Sequence, residues 1–170
     1  AGKWHLGYHG KEKWPRQRGF ERFYGSIAGA TSYFKPQGGR GIVLENENLD
    51  PPTDPDYYTT DVFTDYAIKF LDEQSDDRPF FLYLAYTAPH WPLHAREADI
   101  AKYVGKYRDI GWDVLREQRL ARQKELGIVE QTVELPPRDA GVRAWSELSD
   151  KQKDQLDYRM AVYAAMVDRM

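Results

Sequence analysis

An α/β fold with a mixed, mostly parallel sheet flanked by helices is predicted by three features of the sequence. Residues 59–71 repeat apolar side chains at helical spacing, and residues 80–86 (Phe80 to Tyr86) form an unbroken apolar run. A second amphipathic pattern opens at Ser149, with Gln152 three residues on. A helix leading into a short strand that is apolar on both sides is the arrangement of a layered structure whose sheet is covered on both faces.

The elements follow in chain order. Nine glycines and five prolines fall in residues 1–56, which predicts a loop-rich segment, and its many aromatics predict that the loop is packed rather than loose. Residues 57–95 read as a helix, a strand and a histidine-bearing loop. Thr59 and Thr60 are expected to cap the helix, and Asp61 and Asp65 lie near its positive end. Val62, Phe63, Tyr66, Ala67, Phe70 and Leu71 form its apolar face, and a turn over residues 74–79 ends it. The run at 80–86 is then a strand buried on both faces. Residues 96–170 read as mostly helical: a charged helix over 112–126, a linker at Leu135-Pro136-Pro137-Arg138, and a last helix from Ser149 with the stripe Leu156, Met160, Tyr163, Ala164, Val167 and Met170.

Composition narrows the function. Lys and Arg number 24 against 27 Asp and Glu, and this near balance argues against a nucleic-acid partner. The chain has no cysteine, which excludes disulfides, Cys metal sites and a Cys nucleophile within these 170 residues. The longest uncharged run, 79–95, contains three prolines and two histidines and cannot form a membrane span. The chain begins Ala1-Gly2-Lys3 without a Met and stops at Met170 within a helical pattern, so an internal piece of a longer protein is expected.

Two segments carry candidate chemistry. In Gly2-Lys3-Trp4-His5-Leu6-Gly7, an extended backbone would point Lys3 and His5 to one side and Trp4 to the other. An ammonium beside an imidazole suits an oxyanion such as sulfate, phosphate or carboxylate. In Thr87-Ala88-Pro89-His90-Trp91-Pro92-Leu93-His94, His90 follows the strand and is held between prolines, a position suited to a general acid; a core histidine is the competing reading. His94 is its rival, and a His90–His94 metal pair lacks a third ligand nearby. Asp54, Asp56 and Asp61 read as turn and cap residues, and Gly38-Gly39-Arg40-Gly41 as a lone Gly-rich turn. No nucleophile elbow, phosphate-binding loop or dinucleotide fingerprint is present.

These segments together resemble the type I sulfatases, the arylsulfatase family of the alkaline phosphatase superfamily. Gly2-Lys3-Trp4-His5-Leu6-Gly7 is similar to that family's second signature. The likeness continues through residues 19–25, 57–61, 79–90 and 160–170 in the family's order, and the segment around Trp112 looks like bacterial members. The resemblance implies an internal fragment, residues 1–170, of a catalytic domain shaped as an alkaline-phosphatase-like sandwich. It implies a sulfuric ester hydrolase that uses a formylglycine nucleophile and a calcium ion. Lys3 would bind a sulfate oxygen, His5 would assist release of sulfate from the nucleophile, and His90 would bind sulfate and protonate the leaving oxygen. The nucleophile and the calcium ligands would lie outside these residues, so the fragment itself carries no metal ligand and is expected to be inactive. The substrate would be an aryl sulfate or a sulfated glycan, and the location periplasmic or extracellular. Two rivals stand beside this reading: a phosphomonoester or phosphonate monoester hydrolase of the same superfamily, and a carbohydrate-binding module whose platform would be Trp4, Trp14, Tyr33, Trp91 and Trp112.

Overall fold

The computed structural model describes residues 1–75 and 77–170, so Asp76 in the expected 74–79 turn lies outside the described residues. Residues 1–95 with 166–170 form one compact unit, and residues 96–165 form a second.

The first unit is built on a short sheet. Strands β1 (Tyr24–Gly25), β2 (Val43–Leu44) and β3 (Glu47–Asn48) lie in that order, all antiparallel, with Tyr24 opposite Leu44 and Val43 opposite Asn48. Glu45, in the β2–β3 turn, adopts a left-handed φ of 58°. The mostly parallel sheet expected from sequence is therefore not the sheet observed. Among the described residues, parallel pairing is confined to the contacts of residues 1–5. Their amides reach Tyr24 O (from Gly2, 2.8 Å) and Ser26 O (from Trp4, 2.8 Å) on one edge. On the other edge Lys3 N donates to Ala85 O (2.7 Å), and Gly2 forms a parallel bridge with Ala85. Gly2 has φ 111°, and a Cβ there would overlap the Ala85 carbonyl, so only glycine fits at this crossing.

The run at 80–86 also departs from expectation. It is joined to residues 1–3 only through Tyr83 O, which accepts the Ala1 amino group (2.9 Å), and through Ala85, and it is not buried on both faces: Phe80, Phe81 and Tyr83 are exposed, while Leu84 and Tyr86 pack on one side against a core of Tyr24, Ile42 and Phe63. A continuous apolar run records that two faces want covering, but among the described residues the second face has little more than a tilted ring contact between Phe81 and Phe20 at 6.1 Å.

Helix α1 (Thr59–Asp72) starts where expected, but neither threonine caps it. Tyr58 is the last extended residue, and Thr59 and Thr60 occupy the first helical positions, their hydroxyls buried without partners among the described residues. A cap must sit on the last non-helical residue; here the Thr59 amide is satisfied instead by Tyr33 O at 2.9 Å. The face with Phe63 and Ala67 fully buried joins the core, and Tyr66 stacks on Tyr24 with centroids 3.6 Å apart. A second core of Trp4, Trp14, Phe23, Ile27 and Val43 underlies the N-terminal segment.

The second unit holds α2 (Glu97–Ile100), α3 (Gly111–Glu125) and most of α4 (Asp150–Arg169). Only Gly111 of α3 is buried, as befits a charged rim helix. The 135–138 stretch is tied to α3: Arg116 donates to Pro136 O (2.8 Å) and Arg138 pairs with Asp113 (2.8 Å). At the start of α4 the capping box forms, with Ser149 N donating to Gln152 Oε1 (3.0 Å) and Gln152 N to Ser149 Oγ (3.4 Å). The buried seam of α4 is rotated from the expected stripe: Asp157, Ala161, Val162, Ala165 and Met166 are buried, while Tyr163, Val167 and Met170 are exposed. The reason is Asp157, whose carboxylate accepts the amides of Gly105 (2.7 Å) and Tyr107 (2.9 Å), so an acid occupies a seam that hydropathy alone assigns to apolar residues.

Candidate active-site cleft

The 1–5 segment delivers its side chains irregularly. In a regular strand successive amides point to opposite edges. Here Gly2 and Trp4 donate to the 24–26 edge and Lys3 to Ala85, but His5 N donates to Ile27 O (3.1 Å), the same edge as Trp4. His5 takes a left-handed φ of 55°, which breaks the alternation. Lys3 and His5 therefore do not share a side as simple alternation predicts. Lys3 is half-buried and borders a small crevice with Ala1, Trp4 and Phe20; His5 is exposed and lines a separate cleft.

That cleft has a volume of about 420 Å3 and also receives His90. The structure thus brings together the two histidines singled out from separate sequence segments. The floor beneath His5 is made of small residues, Ala28 to Ala30, and a Cβ at Gly29 would overlap the His5 imidazole. The remaining polar wall is Tyr8 and Arg40. Arg40 went unrecognised in the sequence, where it sits in an isolated Gly-rich turn; a cation framed by glycines was the one available signal.

His90 is anchored from behind. Its amide donates to Thr87 O (2.9 Å), and its carbonyl accepts the hydroxyl of Tyr33 (2.9 Å), a fully buried side chain. The peptide bonds Ala88–Pro89 and Trp91–Pro92 on either side are cis. His90 Nδ1 lies 2.6 Å from Trp91 O. A carbonyl only accepts, so Nδ1 carries the proton and Nε2 is left to exchange a proton with a ligand. His94 does not line the cleft. Tyr58 Oη donates to its carbonyl (2.8 Å), its ring packs near Tyr33 and Phe34 with centroids 6.0 Å away, and its Nδ1 is buried without a partner among the described residues. Burial holds the His94 imidazole below its ordinary pKa.

Asp54 and Asp56 form the expected turn, with Asp56 N donating to Asp54 Oδ1 (2.8 Å). Asp61, in the first turn of α1, accepts Arg169 through both oxygens (2.8 and 2.7 Å). Trp4, Trp14 and Tyr33 are buried, so they cannot offer their faces to a sugar as the carbohydrate-module reading requires. Among the described residues no three His, Asp or Glu side chains converge as a metal site, and no cysteine is present. The residues lining the cleft include no carboxylate or side-chain amide to hold a calcium ion and no cysteine or serine from which a formylglycine could be made.

The family model described as Sulfatase matches residues 1–170. An uncharacterised sulfatase of Schizosaccharomyces pombe is 35% identical over 180 residues, covering 99% of this chain and 32% of that protein. An arylsulfatase of Klebsiella aerogenes is 32% identical over 178 residues, covering 100% of this chain and 37% of its own length. The crystal structure of Ps i-CgsB in complex with k-i-k-neocarrahexaose aligns with a TM-score of 0.52 at 31% identity, over 59% of this chain and 26% of that one. The chain spans about a third of the length of these curated relatives. With the family model matched from first residue to last, and both histidine-bearing segments within the match, the chain belongs to the sulfatase family.

Proposed function

We propose that these residues form the proton-donating, anion-binding wall of a sulfuric ester hydrolase of the arylsulfatase kind. The observation that carries the proposal is the convergence of His5 and His90 on one cleft that no carboxylate lines, in a chain of the sulfatase family. An acid-free wall with two imidazoles and a guanidinium favours an anionic ester over a neutral or cationic substrate.

In this reading His90 binds the sulfate and acts as general acid. With Nδ1–H held on the Trp91 carbonyl, the protonated ring presents a single N–H, at Nε2, to the ester oxygen. As the S–O bond of the ester breaks, that proton passes to the leaving oxygen and the ring is left neutral. His5, with no ring hydrogen bond to other described residues, is open to a sulfate oxygen and to proton exchange there; Lys3, which borders a separate crevice, is assigned a sulfate oxygen on the family resemblance alone. Formylglycine and calcium would come from parts of the protein other than these residues.

The test is leaving-group dependence in the full-length protein. An alkoxide needs a proton as it departs, whereas a nitrophenolate scarcely does, and general acid catalysis is worth about 10²–10⁴-fold. His90→Ala should therefore steepen the fall of log kcat/KM with leaving-group pKa, and His94→Ala should leave that slope as in the wild type. An unchanged slope in His90→Ala removes its role as the acid.

A further inference from the structure

The cleft is larger than a sulfate group requires. A volume of about 420 Å3 lies in the range of small-molecule sites, and the cleft is open to solvent rather than enclosed. Its polar wall beyond the histidines is Tyr8 and Arg40, the latter on a one-turn 3₁₀ segment spanning Gly38–Arg40. The backbone of that segment is fixed from two sides: Tyr8 Oη donates to Gly39 O, and the buried Thr31 hydroxyl donates to Arg40 O. The turn is closed by Gly41 N on Gly38 O at 2.9 Å.

The guanidinium itself has no carboxylate. In the same unit Arg16 and Arg22 pair with Glu45, Arg78 with Glu21 and Arg169 with Asp61, while Arg40, like Arg18 outside the cleft, forms no ion pair among the described residues. No Asp or Glu lines the cleft to neutralise it. A planar donor fork on an anchored backbone, at the lining of the cleft and without an internal anion, can take a carboxylate or sulfate brought by a ligand.

Resting on the sulfatase reading above, we propose that Arg40 recognises a second anionic group on the substrate, a sulfate or carboxylate other than the ester being cleaved. Substrates would then be polyanions, such as a sugar unit bearing the scissile sulfate next to another sulfate or a uronic acid. Two anchors, one at the histidines and one at Arg40, would fix the orientation of the ester, and singly charged esters would lack the second.

The experiment compares three disaccharides in the full-length protein: one with a single sulfate, one with two sulfates, and one with a single sulfate beside a uronate. Arg40→Ala should lower the ratio of kcat/KM for a doubly charged substrate over the singly charged one by roughly 10- to 100-fold, the scale of a charge-assisted contact. Arg40→Lys should restore part of that ratio. The arm that responds, disulfated or uronate, tells which anion is read. A ratio unmoved in both arms overturns the proposal, as does an equal loss on all three substrates, which would put Arg40 on the scissile sulfate. Calorimetric Kd values for the same disaccharides are measured in parallel. If the wild type cleaves no sulfate ester, the sulfatase reading fails, yet the ratio of Kd values between wild type and Arg40→Ala still decides whether Arg40 reads a second anion.

Discussion

Gly29 shows how a residue without a side chain can set the position of one that has chemistry. The His5 ring lies where a Gly29 Cβ would be, so Gly29→Ala must push the imidazole off the cleft floor. We expect kcat/KM on a sulfate ester to fall by on the order of 10²-fold, the cost of a misplacement of about 1 Å, with little change in Tm. His94 makes a different prediction. Its folded-state pKa is lowered by burial from the ordinary value of 6.5, so below that value the unfolded chain binds a proton more readily than the folded one. Stability tied to His94 is therefore full at neutral pH and is lost as pH falls through the ordinary imidazole range. His94→Gln should flatten the decline of Tm on acidification from about pH 7 to 5; a decline as steep as in the wild type would show that burial of this ring is not linked to proton binding.

At the scale of elements, Asp157 deserves a direct test because it sits within the buried seam of α4. Asp157→Ala leaves the Gly105 and Tyr107 amides without acceptors, at roughly 1–3 kcal/mol for each buried amide, and should lower the Tm accordingly. Asp157→Asn retains one acceptor oxygen and should cost less. The helices were legible in the sequence because their signals are local: α1, α3 and α4 lie where periodicity and the Ser149–Gln152 box place them. The strands were not, since β1, β2 and β3 are two residues long and exist through pairings that local pattern does not encode. Asp157 and Arg40 were hidden for the same reason. One is an acid whose partners lie about fifty residues away, and the other a cation whose cleft is assembled from three distant segments. His5 and His90 could be found because glycine and proline neighbours mark each of them within a few residues.

For the molecule as a whole, the chain carries the groups proposed to bind the anion and donate the proton but has no cysteine, and its described residues offer no metal-binding cluster. The purified 170-residue chain should therefore turn over nitrophenyl sulfate no faster than its Lys3→Ala variant, as followed by nitrophenolate release. The exposed Phe80, Phe81 and Tyr83 should also make it associate, which sedimentation at rising concentration would detect. The rung between Gly2 and Ala85 has a consequence for how such a chain can change in length. Because the two segments leave that rung in the same direction, His5, three residues past Gly2, and His90, five residues past Ala85, are carried to the same end. Their separation is thus a residue count from a shared origin. Adding one residue between the rung and either histidine changes that count and carries the ring away from its present place in the cleft. Insertions in the loops between residues 6 and 82 leave both counts intact. The long intervening stretch is free to drift in length, while the few residues next to the rung behave as a fixed ruler.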